Sequence, residues 1–314
     1  MTTQTAKTAD RPAPVDPYAR ITNAILADLE KGVRPWTKPW SAEHLGGRVV
    51  RPLRVTGEPY SGINVLLLWM EAAAAGHPSP VWMTYRQAQA LGGQVRRGEK
   101  GAPVVYFGEA IRKGQEGADQ PEGTDAEDRA VRFLKSYVVF NVGQIDGLPE
   151  RFRAAEPVSP PLPAPERIAH ADAFFVATGA QVRHGGDQAY YHAGEDRIQL
   201  PPLEAFRDAE SYYATLGHET THWTRHPSRL DRSFGRKVWG DEGYSREELV
   251  AELGSAFLAA DLGLYLEPRE DHSAYIAHWI TILQNDKRAI VSAAAHAERA
   301  VKFLHGLQPQ PATP

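Results

Sequence analysis

Cysteine is absent from all 314 residues of the sequence. Disulfide bonds and thiolate metal sites are therefore excluded. Any bound metal ion must be held by histidine and carboxylate side chains. Such ligands are typical of catalytic zinc sites, whereas structural zinc sites rely mainly on cysteine.

Long apolar segments are absent as well, since no run approaches the roughly 20 residues that a membrane-spanning helix needs. The first 16 residues are polar and contain proline, and they lack the apolar core of a signal peptide. We therefore expect a disordered lead-in and a cytoplasmic protein with no membrane partner.

The net charge is only −4. This is too small for a protein that imitates DNA through a large acidic surface.

The charge is also unevenly distributed along the sequence. Residues 18–107 contain 11 Lys and Arg against 6 Asp and Glu, a local charge of +5. Residues 166–307 contain 15 against 21, a local charge of −6. This asymmetry indicates two regions with different partners.

Composition and periodicity predict an α+β protein with two domains, separated by a Pro-rich stretch. The predicted segments are a disordered lead-in (1–16), an N-terminal mixed α/β domain (17–153) with a mobile acidic loop (108–130), a Pro-rich linker (154–165), a mostly helical C-terminal domain with a small β-hairpin or sheet (166–307) and a disordered tail (308–314).

The stretch GHETTHW places His218, Glu219 and His222 in the order H-E-x-x-H. On a helix, residues four apart share one face, so both imidazoles can reach one metal ion. Glu219 then lies beside the open coordination position, where a carboxylate can accept a proton from water. The pattern predicts a metal-dependent hydrolase with His218 and His222 as ligands and Glu219 as the catalytic base.

A hydrolase of this kind needs a third protein ligand. In metzincins it is a histidine six residues after the second motif histidine, with a glycine in between. This sequence has Ser228 at the position of that histidine and Arg225 at the position of the glycine. The metzincin arrangement is therefore excluded, and a glutamate from a later helix is the remaining source.

The segment SREELVAELGSAFL provides such a helix. Glu252 lies in an apolar stretch, where a carboxylate is costly to bury unless a cation or hydrogen bonds satisfy it. We therefore predict Glu252 as the ligand, with Glu248 or Glu247 as alternatives. Ser245 and Glu248 have the spacing of a capping box, which favours a solvated helix N-terminus for both alternatives. Small residues would let this helix pack closely on the motif helix: Gly254, Ser255 and Ala256.

The basic N-terminal region has the composition of a single-stranded DNA-binding surface, because aromatic rings that stack on bases alternate with cations that meet phosphates. The wider aromatic set includes Trp82, Tyr85 and Tyr106, although most aromatic residues in a small domain belong to its core. The predicted DNA-binding residues are Trp36, Lys38, Trp40, Arg48, Arg51, Arg54, Tyr60, Arg96, Arg97 and Lys100.

These motifs together resemble one known family. The C-terminal segments HETTHW, HPSRL, YSREELVAELGSAFLAADLG and YIAHWITILQNDKRAI resemble the zincin-like domain of ArdC-type antirestriction proteins of conjugative plasmids. The N-terminal segments PWTKPW, TGEPYSGIN, WMTYRQAQALGG, VRRGEKG and VVYF are similar to their single-stranded DNA-binding domain, which also occurs in plasmid primases of the TraC type. The resemblance covers nearly the whole chain outside the tails, the acidic loop and the Pro-rich linker.

The resemblance implies a metal ion at His218, His222 and Glu252, a base at Glu219, and protection of incoming plasmid DNA from restriction. The leading hypothesis is a gluzincin-like endopeptidase that acts on DNA-bound or restriction proteins. The alternative is a non-proteolytic protein that coats single-stranded DNA. Zinc suits two histidines and a glutamate, and manganese or another divalent ion would also bind such a set. The oxyanion could be stabilised by Tyr190, Tyr191 or Tyr244.

Overall fold

A computed structural model describes residues 16–36, 50–77, 79–112, 129–153, 164–235, 241–264 and 273–309. It confirms an α+β protein with two regions. Its helices are α1 (Pro17–Leu29), α2 (Ile63–Ala75), α3 (Tyr85–Ala90), α4 (Glu150–Arg153), α5 (Ala164–Ala177), α6 (Ala209–Trp223), α7 (Glu242–Leu262), α8 (Ser273–Asn285) and α9 (Ala289–Gly306). Its strands are β1 (Leu53–Arg54), β2 (Val81–Thr84), β3 (Gln94–Val95), β4 (Ala102–Arg112), β5 (Arg129–Asn141), β6 (Ile145–Asp146), β7 (Gln181–His184), β8 (Tyr190–His192) and β9 (Arg197–Leu200).

The N-terminal region is built on a four-stranded sheet in the order β1-β2-β5-β4. Its longest ladder joins β4 and β5 in antiparallel register, from Ala102 opposite Val139 to Arg112 opposite Arg129. The predicted acidic loop at 108–130 is therefore wrong at both ends, because strand pairing continues through Arg112 and resumes at Arg129. The remainder of that loop lies outside the described residues, as do most of the predicted linker and both predicted tails.

The C-terminal region contains a three-stranded sheet in the order β7-β9-β8. Strands β8 and β9 form the expected antiparallel hairpin, while β7 adds to the other edge of β9 in parallel. The sequence predicts a small hairpin or sheet here, but its local turn signals do not reveal that β7 pairs with β9 in parallel. The described helices of this region are α5, α6, α7, α8 and α9.

Helices α6 and α7 approach each other closely where Gly254 faces Thr221. A Cβ atom added to Gly254 would lie 2.5 Å from the methyl carbon of Thr221, so the position has no room for a side chain. Next to it, the Ser255 hydroxyl donates a hydrogen bond of 2.8 Å to the carbonyl of Ala214 on α6. The predicted close packing of these small residues is confirmed, and it fixes how α7 lies along the motif helix.

One hydrophobic core joins the two regions. It includes Ile25 of α1, Trp69 of α2, Phe257 of α7 and Leu283 of α8, all of which are fully or almost fully buried. At the same boundary the buried Arg51 guanidinium donates from Nε to Asp261 and from Nη1 to Glu298, each at 2.7 Å. Thus α1 and the segment after it, which the sequence assigns to an N-terminal domain, pack directly against the C-terminal helices.

No helix within the described residues is long and apolar enough to cross a membrane.

Candidate metal centre

The two motif histidines lie on one buried face of α6. The helix begins after Asp208, whose side chain accepts a hydrogen bond of 2.7 Å from the backbone amide of Ser211. His218 and His222 are 3% and 8% exposed, and their Nε2 atoms lie 3.1 Å apart. The predicted helix thus brings both imidazoles to one point, with nitrogens at the separation that a shared ion requires.

Glu248 of α7 completes this group of ligand atoms. Its Oε2 lies 3.4 Å from Nε2 of His218, and its Oε1 lies 3.3 Å from Nε2 of His222. Bonds of about 2.0–2.2 Å to an ion in a tetrahedral site would separate neighbouring ligand atoms by about 3.3–3.6 Å. The three side chains are the one group within the described residues whose atoms converge in this way. They fit a divalent metal ion.

Glu252, the ligand predicted from the sequence, does not belong to this group. Its Oε1 faces Nδ1 of His218 at 3.5 Å, on the opposite side of the ring from Glu248. Glu247 has the equivalent position at the other histidine, where its Oε1 lies 3.1 Å from Nδ1 of His222. Each imidazole therefore lies between two carboxylates, and the geometry favours Glu248 over Glu252 as the third ligand.

The start of α7 explains this difference. The N-cap is Asp241, whose side chain accepts a hydrogen bond of 2.7 Å from the Tyr244 amide. The predicted capping box at Ser245 and Glu248 is wrong, because both residues lie inside the helix and are buried. The earlier start places Glu248 nearly two turns into the helix, opposite the histidines, instead of at a solvated end.

Buried charges around the centre are unbalanced without a cation. The buried carboxylates are Glu219, Glu247, Glu248 and Glu252, and the buried guanidinium groups are those of Arg34 and Arg232. With neutral histidines this leaves an excess of two negative charges. Because unpaired buried charge is costly, a divalent cation would stabilise the arrangement.

The pKa values of these groups reflect the same concentration of negative charge. Burial opposes a charge on His222, but Glu248 and Glu247 outweigh it and raise the pKa of the imidazole to about 10. Burial also opposes the charge of Glu247, yet hydrogen bonds from Arg232 and His222 hold its pKa at about 2. Despite its burial, the histidines likewise hold the pKa of Glu248 well below its usual range. With pKa values this low, Glu247 and Glu248 carry negative charge at neutral pH.

Tyr244 lies at the edge of the same cluster. Its hydroxyl is 3.0 Å from that of Tyr275. Burial raises the pKa of Tyr244, and the charge of Glu248 and the hydrogen bond with Tyr275 raise it further. By contrast, the Tyr191 hydroxyl donates to Asp196 at 2.8 Å, and Tyr190 is 41% exposed. Of the three tyrosines left open by the sequence, Tyr244 is the one beside a ligand.

A cleft of about 550 Å³ adjoins the centre at Glu247 and Arg232. Gly194, Arg225 and Phe234 contribute to its walls. The cleft therefore offers both polar and apolar surface beside Glu247, which contacts His222.

Several predicted DNA-binding residues are not on the surface. Trp36 is fully buried, Arg51 is 7% exposed and tied to two carboxylates, and Tyr60 is 8% exposed. These residues therefore offer no free face to a nucleic acid. The sequence misassigns them because aromatic and basic residues serve equally well in a core or a buried ion pair. The predicted residues outside the described ranges are Lys38, Trp40 and Arg48.

The other predicted cations are exposed. Arg54 lies over the Tyr60 ring, 5.3 Å from its centroid. Arg97 and Lys100 are exposed in the turn after β3. Arg96 is exposed too, but its guanidinium donates to Glu99 at 2.8 Å and to the carbonyl of Gly143 at 2.7 Å. Arg54 also lies 3.8 Å from a carboxylate oxygen of Glu58, but both side chains are exposed, so phosphates can reach Arg54 as well as Arg97 and Lys100.

An aromatic face on the β4–β5 ribbon stands out in the structure. Tyr106 and Tyr137 are 56% and 46% exposed, and Lys135 Nζ lies 4.9 Å above the ring of Phe133. Of the residues on this face, only Tyr106 is suggested by the sequence as a possible DNA contact. Phe133, Lys135 and Tyr137 stand at every second position of RFLKSY. On a strand they share one face, so this spacing is the signal that could have identified them.

Two family models match the chain. Residues 15–140 match the N-terminal domain of the anti-restriction factor ArdC, and residues 169–296 match a zincin-like metallopeptidase. Crystal structures of the antirestriction protein ArdC from plasmid R388 are similar to this structure. The metal-free form has a TM-score of 0.77 at 43% identity and covers 93% of this chain and 97% of its own. The Mn(II)-bound form has a TM-score of 0.74 at 43% identity, with 93% of this chain and 98% of its own covered.

Curated relatives cover a similar stretch. An uncharacterised protein, y4eC, of Sinorhizobium fredii is 40% identical over 298 residues, which are 94% of this chain and 93% of the relative. A DNA primase TraC of Escherichia coli is 41% identical over 299 residues, covering 91% of this chain. This chain spans only 27% of the length of that primase.

Proposed function

Because this chain belongs to the ArdC family of antirestriction proteins, we propose that it protects incoming plasmid DNA by binding single-stranded DNA and cleaving proteins bound to it. The observation that carries the peptidase proposal is the convergence of His218, His222 and Glu248 within a zincin-like domain. We assign these three residues as metal ligands, in place of the set that includes Glu252. Zinc and manganese both suit them.

A divalent ion held there would polarise the peptide carbonyl and lower the pKa of the attacking water. Glu219 would take a proton from that water as the new C–O bond forms, and would deliver it to the amine as the C–N bond breaks. Tyr244 is the residue that we assign to the developing oxyanion. Its pKa is raised, so it keeps its hydroxyl proton at neutral pH and can donate a hydrogen bond.

Metal removal tests this activity directly. Protein loaded with zinc or manganese should degrade a protein bound to single-stranded DNA, and a chelator should lower the rate by at least about 100-fold because the water then lacks its Lewis acid. Cleavage is measured by gel electrophoresis and DNA binding by mobility shift. The chelator should leave the mobility shift unchanged. If protection from restriction persists in cells without any cleavage, the protein would instead act by coating the strand.

For the DNA-binding surface we propose the aromatic face of the β4–β5 ribbon, together with Arg54, Arg97 and Lys100. In the antiparallel register Tyr106 is opposite Lys135, and Val104 is opposite Tyr137. Opposite residues, and residues two apart on one strand, share a face. The exposed rings and the lysine therefore lie on one side of the ribbon. This combination of stacking surface and positive charge suits a single strand.

Gly108 is part of this surface. A Cβ atom at this position would lie 2.4 Å from Cζ of Phe133, so the absence of a side chain lets the phenyl ring lie across the neighbouring strand. The Tyr106 ring lies 6.5 Å from the Phe133 ring at an interplanar angle of 51°. The glycine thus leaves the Phe133 ring uncovered beside Lys135. Gly108 itself lies on a strand, whereas the sequence predicts that a loop begins there.

Substitution of the exposed tyrosines tests this surface. Tyr106→Ala and Tyr137→Ala should each weaken single-stranded DNA binding about tenfold, which is typical for the loss of one stacked base. Tyr190→Ala provides a matched control, since Tyr190 is a similarly exposed tyrosine on the C-terminal sheet. Fluorescence anisotropy with a labelled oligonucleotide gives the affinities. Equal affinities for all three variants and the wild type would place the DNA elsewhere.

A further inference from the structure

The segment that follows α1 packs against the C-terminal region at Trp36. Trp36 is fully buried, and its ring meets that of Trp279 on α8 edge to face at 5.6 Å. Its indole Nε1 donates a hydrogen bond of 3.2 Å to Oε2 of Glu252. Arg34 Nη1 lies 3.6 Å from the same oxygen and is also buried. Two residues of the N-terminal region therefore hold one carboxylate oxygen on α7.

The other oxygen of this carboxylate faces the metal centre. Oε1 of Glu252 lies 3.5 Å from Nδ1 of His218, whose Nε2 points towards His222 and Glu248. A histidine that binds a metal through Nε2 carries its proton on Nδ1. A carboxylate at that position fixes the tautomer and the orientation of the ring. Glu252 has the position for this task at His218.

The two histidines differ in where this support originates. At His222 the supporting carboxylate is Glu247, which is held by Arg232 at 2.7 Å within the C-terminal region. At His218 the supporting carboxylate is held by Arg34 and Trp36, which lie within 15–140 and outside 169–296. The zincin-like sequence segment alone therefore lacks part of the structure around its own centre.

We infer that Arg34 and Trp36 are positioning residues of the metal centre: they fix Glu252, and through it the ring of His218, so that the N-terminal region sets the affinity for the metal ion. This inference rests on the proposed metal site. Arg34 and Trp36 act through Glu252 and touch neither ligand atoms nor substrate. The DNA contact predicted for Trp36 is replaced by this role.

The test is the metal affinity of full-length Trp36→Phe, measured by competition with a chromophoric chelator for zinc and for manganese. Loss of the hydrogen bond to Glu252 should weaken binding about fivefold. Trp69→Phe is the matched control. Trp69 is equally buried and its Nε1 donates to the carbonyl of Val50 at 2.8 Å, away from the centre. This control should bind metal as the wild type does.

A structural role of Trp36 is separated from a positioning role by repeating the measurement in a Glu252→Ala background, which leaves no acceptor for the Trp36 indole and no support for His218. If Trp36 acts through Glu252, Trp36→Phe should cause no further loss of metal affinity there. A full additional loss, or equal affinities of Trp36→Phe and Trp69→Phe, would overturn the inference. If Trp36→Phe does not fold, Arg34→Gln is judged by the same two criteria. A wild type that binds neither metal would instead overturn the proposed metal site itself.

Discussion

Glu219→Gln should lower the rate of peptide cleavage by at least about 10³-fold, because the amide cannot accept a proton from water. Metal content should remain that of the wild type, since Glu219 is not among the three convergent ligands. DNA binding should also persist, because the proposed aromatic face lies on another region. The variant is therefore expected to separate catalysis from both binding functions in a single protein.

The measurement combines a cleavage assay with a conjugation assay. Cells that express the Glu219→Gln variant should lose protection of the incoming plasmid if proteolysis is the mechanism. Undiminished protection by a folded, metal-loaded but inactive variant would favour the alternative of a DNA-coating protein.

Tyr244→Phe refines the result, because it removes one donor to the oxyanion and should lower the rate of cleavage about 100-fold with metal content unchanged. An unaltered rate would exclude Tyr244 from that role.

Glu248→Gln should weaken metal binding far more than Glu252→Gln. The first substitution replaces a carboxylate that faces both Nε2 atoms, whereas the second replaces one that faces only the Nδ1 side of His218. A partner behind a ligand typically contributes about 10-fold to 100-fold in affinity, and the loss of a direct ligand should exceed this range. Both substitutions preserve side-chain shape, so the comparison isolates the charge.

Metal analysis of the purified variants and chelator competition provide the comparison. Circular dichroism is the control, since both glutamates are buried and either change could disturb α7. If Glu252→Gln loses the metal and Glu248→Gln retains it, the third ligand is Glu252, as the sequence suggests. Equal losses would indicate an ion held by both carboxylates.

Local patterns were sufficient to predict two of the three proposed metal ligands. The spacing of His218 and His222 predicts their common helical face, and the small residue Gly254 predicts the close contact with α7. Both inferences need only the geometry of a helix. The α+β class and the two regions also follow from composition and periodicity.

The proposed third ligand, Glu248, was not predictable in the same way. The choice depends on the rotation and start of α7, and a residue four positions farther along has a similar local sequence environment. Burial of Glu252 was read correctly as a need for a polar partner, but the partners are Trp36, Arg34 and His218. Two of these lie more than 200 residues earlier, and only the tertiary structure reveals them.

The same limit explains the DNA-binding residues. Arg51 has the sequence context of a surface cation, yet it is buried against Asp261 and Glu298 at distances of 2.7 Å. Phe133 and Lys135 became candidates only when the register of β4 and β5 was known. Composition identified the charge of the region, whereas the position of each charge depended on long-range packing.

The core shared by the two regions has an evolutionary consequence. A recombination event that separated them would expose apolar surface on both regions. It would also remove Trp36 and Arg34 from behind Glu252. Selection should therefore favour the inheritance of the whole block. In agreement with this, the stretch shared with the much longer primase TraC is 299 residues long and includes both regions. The unit shared by these proteins is thus expected to be the complete two-region block.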